Sequence, residues 1–197
     1  MNVLTKLALG MMGQLRPKPA KGNSATSILL PPPAKHGGLP LMEALAGRHS
    51  SRDFSSTPLP LPLLSDLLWA AYGINRTGGG RTAPSALNAQ EIDVFVALPS
   101  GAYLYDAATH QLNLVAAGDL RRVTGYQDFV DEAPLDLVYV ADHARMNMVP
   151  AAQRESYASA AAGAIAQNVY LFAACNDLAA VIRAWVDRAR RLRMRLD

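Results

Sequence analysis

The longest helical pattern in the chain, Ala151–Cys175, sets the frame that every other segment must pack around. It is rich in alanine, and Tyr157, Ala161, Ala164, Asn168 and Leu171 recur three or four residues apart, as they would on one face of an α-helix. Two shorter helices are predicted before it. Residues 62–72 open with a proline suited to a first turn, align Leu64, Leu67, Leu68 and Ala71, and stop before Gly73. Leu41–Gly47 reads as a short helix ending in glycine. Ile92–Leu98 is rich in β-branched and aromatic residues and predicts a strand. Residues 102–106 and 111–115 predict two strands joined by a turn, 135–140 an apolar strand, and 179–185 a buried strand. Residues 119–126 predict a short helix capped by Asp119. Helices and strands are intermixed without regular βαβ alternation, which points to an α+β fold.

A chain of 197 residues suits one domain, and with half its residues hydrophobic it can bury a core. Residues 16–40, with Pro31-Pro32-Pro33, read as a linker or wrapping arm outside the core. The expected division is an extension over 1–40, a domain over 41–187 and a basic tail over 188–197. The net charge of +3 is concentrated in that tail, where five arginines face one aspartate. It is therefore a poor indicator of nucleic-acid binding. The single cysteine, Cys175, excludes an intramolecular disulfide and lies in an apolar run that suits a buried hydrophobe. The four scattered histidines form no metal-binding pair, so no metal is expected. No run approaches the roughly 20 apolar residues of a membrane span. The apolar N-terminus is a poor signal peptide, so the expected location is cytoplasmic, with export as the alternative.

Two segments carry candidate chemistry. Arg48-His49-Ser50-Ser51-Arg52 sets two guanidiniums and two hydroxyls within five residues. Such a cluster suits a phosphate or another anion, and it also suits a solvated basic turn. Pro84-Ser85-Ala86-Leu87-Asn88-Ala89-Gln90 follows a glycine-rich loop and leads into a strand. Its small residues permit close approach and its amides can bond polar ring edges. An ordinary loop with an Asn turn would look the same. The glycine run is neither a Walker A motif nor a dinucleotide fingerprint.

Together these segments resemble the nitroreductase family. The likeness is closer to the branch related to the dehydrogenases of azole-forming peptide synthesis. Leu67-Leu68-Trp69-Ala70-Ala71-Tyr72-Gly73-Ile74-Asn75 and Gly80-Arg81-Thr82-Ala83-Pro84-Ser85-Ala86 look like that branch almost residue for residue. The likeness runs from about Leu41 to Asp187.

The resemblance implies a dimer with a mixed, mostly antiparallel sheet flanked by helices, and FMN bound at the dimer interface. By the match, Arg48 and Ser50 would hold the FMN phosphate, with His49 beside them, and Arg52 would lie near N1 and O2 of the ring. Pro84, Ser85, Ala86, Asn88 and Gln90 would come from the facing protomer. The turn after the long helix, with Asp177 and Leu178, would turn a backbone N–H towards flavin N5. There the family usually has an acidic residue and a glycine where this chain has Asn176 and Asp177. Gly163 and Gln167 match the family's long helix, where Gly163 is expected to permit close packing. The chemistry would occur at N5 with no catalytic side chain. NAD(P)H would be the donor, and a nitroaromatic, a quinone or another metabolite the acceptor; in the reverse sense, an azoline in a peptide would itself be oxidised. The basic tail differs from the family's ending, which implies as an alternative a non-catalytic or flavin-less dimeric relative.

Overall fold

A computed structural model describes residues 26–184. In chain order the elements are β1 (Ser27–Leu29), α1 (Leu41–Gly47), α2 (Leu61–Tyr72), β2 (Ile92–Leu98), β3 (Gly101–Asp106), β4 (Gln111–Ala117), β5 (Asp136–Ala141) and α3 (Ala151–Cys175). The strands form one sheet in the order β1-β4-β3-β2-β5. All four pairings among the described residues are antiparallel, so the expected mixture of directions is not found there. Short turns explain the pattern: Pro99-Ser100 joins β2 to β3, and residues 107–110 join β3 to β4. In the second turn Asp106 accepts from the Ala108 amide and the Thr109 hydroxyl, both at 2.8 Å.

α2 and α3 pack together and cover the sheet. Leu64 and Leu68 of α2 meet Ala158, Ala161 and Ile165 of α3 in one buried cluster, with Val94 and Val96 of β2, Tyr103 of β3 and Leu112 of β4. Alanine on the inner face of α3 leaves room for the larger side chains of α2 and the sheet. Asn168 on α3 donates to the Ala70 carbonyl of α2 at 3.0 Å, which fixes the two helices in register. A smaller cluster holds Ala102, Leu120 and Val123. By length and composition alone α3 is long and apolar enough to cross a membrane, although polar residues interrupt it and no run of about 20 apolar residues occurs in it. Its alanines raise the hydropathy average, and its inner face is the core of this domain.

Three expectations change, and a fourth point concerns the last of them. β1 comes from the segment read as a wrapping arm, so the sheet begins before Leu41. Leu30 is buried in the core, and the arm is held by hydrogen bonds: Leu114 N–H to the Thr26 carbonyl at 2.9 Å, and Ala34 N–H to Asp66 at 2.7 Å. Residues 119–126 hold only one tight turn, Arg121–Val123, because Asp119 binds the Arg121 guanidinium at 2.6 Å as well as its amide. Residues 179–184 are not a strand; Trp185 and the basic tail lie outside the described residues, as does the extension up to residue 25. The fourth concerns what fixes 179–184. Arg183 binds Asp136 and the Thr124 hydroxyl, both at 2.7 Å, at the start of β5. A Cβ at Gly125 would run into the Arg183 guanidinium, so glycine permits that approach.

The arm is locked by a buried relay. Ser65 donates to the Pro31 carbonyl at 2.6 Å, so its oxygen receives the proton of His110 Nε2 at 2.7 Å. His110 Nδ1 then accepts from the Tyr105 hydroxyl at 3.0 Å, which makes the ring neutral. Burial lowers the His110 pKa, against raising effects of the Pro31 carbonyl and Asp66. The unfolded chain therefore takes this proton at higher pH than the folded chain. The contribution to stability is complete above about pH 6.5 and declines on acidification below it. Asp136 has the opposite sign. Burial raises its carboxyl to about 6, so its contribution is lost as pH rises through that value.

Two outcomes follow for denaturant unfolding. His110→Gln should remove the acid-side decline between about pH 6.5 and 5; a constant offset from wild type at every pH would contradict the relay. Arg183→Met should cost roughly 3–5 kcal/mol by stranding the Asp136 carboxylate. Adding Asp136→Asn should recover most of that loss, and simple additivity of the two substitutions would refute the pairing.

Candidate functional site

α1 stops at Gly47 because Arg48 adopts extended backbone (φ −62°, ψ 118°) while its amide still donates to Ala44. The chain then crosses the C-terminal half of α3. The Arg48 guanidinium lies over the Tyr170 ring, 5.3 Å from its centroid. Ser50 Oγ is 2.9 Å from the Tyr170 hydroxyl, which also receives the Ile182 amide at 2.8 Å. The Ser51 amide donates to the Ala180 carbonyl at 3.0 Å. His49 donates from Nδ1 to the Gly47 carbonyl at 2.9 Å, so its ring shapes the turn and faces outward. Arg52 is exposed, and among the described residues neither Arg48 nor Arg52 forms an ion pair. Among the described residues, these two guanidiniums on one short segment leave an anion-binding capacity unused.

The turn after α3 completes this wall. The amides of Asn176 and Leu178 both donate to the Ala173 carbonyl, at 3.1 and 3.0 Å. Between them Asp177 has φ +52°, the left-handed region that glycine favours and aspartate tolerates better than most residues. The aspartate thus takes the backbone conformation that the glycine reading of this position requires. Because the Leu178 amide closes the helix, Asp177 is the residue of this turn whose amide can face a ligand.

An apolar cavity of about 680 Å³ opens beside this wall. Phe54, Leu63, Leu135, Tyr170 and Asp177 line it. Gly163 also lines it, and a Cβ there would meet nothing within 4 Å, so no described residue requires the close packing expected of this glycine. Gln167 is exposed.

Segment 84–90 has a different frame. Ser85 is extended, Ala86–Asn88 forms one tight turn, and Leu87, Asn88 and Gln90 have φ of +54°, +54° and +49°. Non-glycine residues in this region store about 1–3 kcal/mol each. The Gln90 side chain holds the strained loop together. It accepts from Arg81 Nε at 2.9 Å and donates to the Gly79 carbonyl at 2.9 Å and to Asn88 at 3.2 Å. Its amide donates to Ser85 Oγ at 2.9 Å. Gln90 is thereby a framework residue, whereas Pro84, Leu87 and Asn88 are exposed and Ser85 and Ala86 half-buried.

Sequence reasoning missed the groups that hold both segments. Arg81 stacks on the Tyr72 ring at 5.0 Å, and Arg145 binds the Gln90 carbonyl at 2.8 Å and Asp93 at 2.5 Å. Tyr170 reads as one more apolar position in a helix, yet a buried phenol needs hydrogen-bond partners. Beneath the second loop, both Glu91 carboxylate oxygens and the Tyr72 hydroxyl are buried without a hydrogen bond to any described residue. Among the described residues, no hydrogen bond, ion pair or ring contact joins segment 48–52 to segment 84–90.

Comparison with known proteins gives this arrangement its context. The family model described as "Nitroreductase family" matches residues 45–196. A candidate nitroreductase of Methanocaldococcus jannaschii is 30% identical over 151 residues, covering 72% of this chain and 76% of that protein. The crystal structure of a candidate nitroreductase from Ralstonia eutropha is 53% identical, with a TM-score of 0.87 over 91% of this chain and 86% of that one. The microcin synthetase complex of E. coli superposes with a TM-score of 0.62 at 18% identity, covering all of this chain and 78% of that one, a likeness of fold. With its antiparallel sheet and covering helices, the chain belongs to the nitroreductase family.

Proposed function

We propose that the chain is an FMN-dependent oxidoreductase that works as a homodimer, taking hydride from NAD(P)H and passing electrons to a small acceptor. The observation that carries this reading is that Arg48 and Ser50 sit on Tyr170, a wall residue of the apolar cavity, and that Arg52 follows on the same segment just before Asp53 and Phe54, which also line it. The donor set suits a phosphate, and the apolar walls suit a flat ring. Family membership supports an oxidoreductase. The residues present therefore fit FMN.

Bound FMN would supply hydride acceptance and release at N5, a chemistry that needs no nucleophile from the chain. In this reading Arg48 and Ser50 would hold the phosphate. Arg52 would place positive charge beside the ring, where it would favour the negative charge gained on reduction, and the Asp177 amide would donate to the ring. Ser85, Ala86 and Asn88 would reach the ring from the partner subunit, since segment 84–90 neither lines the cavity nor makes a described contact with segment 48–52. The electron donor and acceptor occupy the same cavity in turn, as a ping-pong cycle requires. A nitroaromatic or a quinone suits an apolar, open cavity. We place this activity in the cytoplasm.

The purified protein supplied with FMN should show a flavin band bleached by reduced nicotinamide; a colourless protein that leaves FMN fluorescence unquenched would refute the reading. Arg48→Ala should weaken FMN binding by about tenfold or more, the equivalent of 1.4 kcal/mol per decade. Arg52→Ala should instead slow flavin reduction in stopped-flow measurements with FMN saturating. Equal losses of affinity with unchanged reduction rates would contradict these roles.

A further inference from the structure

We propose that Tyr170 is the positioning residue that turns the Ser50 hydroxyl outward as a donor to a phosphate, and that it thereby makes the site prefer phosphorylated over unphosphorylated flavin. The proposal rests on the flavin reading and adds a residue and a selectivity to it. A phenol has one proton and two lone pairs. At Tyr170, which is 8% exposed, one lone pair receives the Ile182 amide at 2.8 Å. The remaining described partner is Ser50 Oγ at 2.9 Å.

Two proton arrangements are open to this pair. If Ser50 donates to Tyr170, the buried phenol proton is left without a described acceptor, and such a group costs about 1–3 kcal/mol. If Tyr170 donates to Ser50, its proton and one of its two lone pairs are matched. The Ser50 proton is then free to turn to the exposed side of the segment, where no described residue accepts it and an external acceptor can. The donors form a chain: Ile182 N–H to Tyr170, Tyr170 O–H to Ser50, Ser50 O–H outward. Each link polarises the next. The same ring carries the Arg48 guanidinium on its face, 5.3 Å from the centroid. One tyrosine thus aligns a cation and an oriented hydroxyl on one edge of the site. That edge pairs a cation with an outward donor, which favours a charged oxyanion over the neutral hydroxyl that ends an unphosphorylated flavin side chain.

The test compares FMN with riboflavin by fluorescence quenching of the flavin-stripped full-length protein. Tyr170→Phe keeps the ring under Arg48 and removes the phenol. It should weaken FMN about tenfold and leave riboflavin affinity unchanged. Ser50→Ala should give the same pattern, and the double variant should add nothing further. Ser50→Ala removes the outward donor without touching the Ile182 contact, so it also serves if Tyr170→Phe does not fold. Unchanged FMN affinity, or equal weakening of FMN and riboflavin, overturns the proposal. Phosphorus NMR with inorganic phosphate separates it from the flavin reading. Line broadening by wild type that is lost in both Ser50→Ala and Tyr170→Phe supports the Tyr170 assignment even if no flavin binds. No phosphate effect together with no FMN binding overturns both.

Discussion

The packing of α2 on α3 is the contact on which the rest of the structure depends. Leu64 and Leu68 sit against Ala158, Ala161 and Ile165, and the Asn168 side chain locks the register to Ala70. Each large apolar side chain buried there contributes about 1.5–3 kcal/mol. A helix of 25 residues is about 37 Å long, so α3 carries its two ends to opposite margins of the domain. The core fixes the middle of α3, and the candidate site is built on its C-terminal end. Tyr170 projects to segment 48–52 from there, and the Asn176-Asp177 turn closes the same wall. The alanines that read as a simple helical pattern are what let a buried scaffold come this close to its neighbours.

The two candidate segments of the chain are each held by their own hydrogen bonds. Segment 48–52 is anchored through Tyr170 and Ala180, while segment 84–90 is anchored through Gln90, Arg81 and Arg145. Three left-handed non-glycine residues within 87–90 show a backbone kept in an unfavourable shape by that clamp. Strain held by a rigid frame, with Leu87 and Asn88 left exposed, is the form expected of a loop that meets a surface outside its own chain. This supports the proposed sharing of the flavin between two subunits.

The helices and the central strands were legible because their signals are local and periodic. Ala151–Cys175 and Ile92–Leu98 have the predicted bounds. β1 was not legible, since three residues after a polar stretch show no pattern, and its place is set by pairing with β4. The helix expected over 119–126 gave way to a buried Asp119–Arg121 pair, and the strand expected after α3 gave way to a segment pinned by Arg183. Both outcomes depend on partners far away in sequence or on burial, which periodicity does not report. At the site, the arginines and serines of 48–52 were conspicuous by type. Tyr170, which orients them, was hidden in an apolar helix. Gln90 reads in the sequence as a flavin contact, and the structure shows its side chain bonding Arg81, Gly79 and Asn88 of its own loop.

The central claim is that one flavin site is assembled from segment 48–52 of one subunit and segment 84–90 of its partner. Complementation between two defective chains tests it directly. One chain carries Arg48→Ala and Arg52→Ala, the other carries Ala86→Glu, and each alone should bind no FMN. Co-expressed, the mixed dimers should regain one intact site per pair and bind FMN at about half the wild-type stoichiometry. If the mixture binds no more FMN than either variant alone, the site is not shared between subunits and the account is wrong.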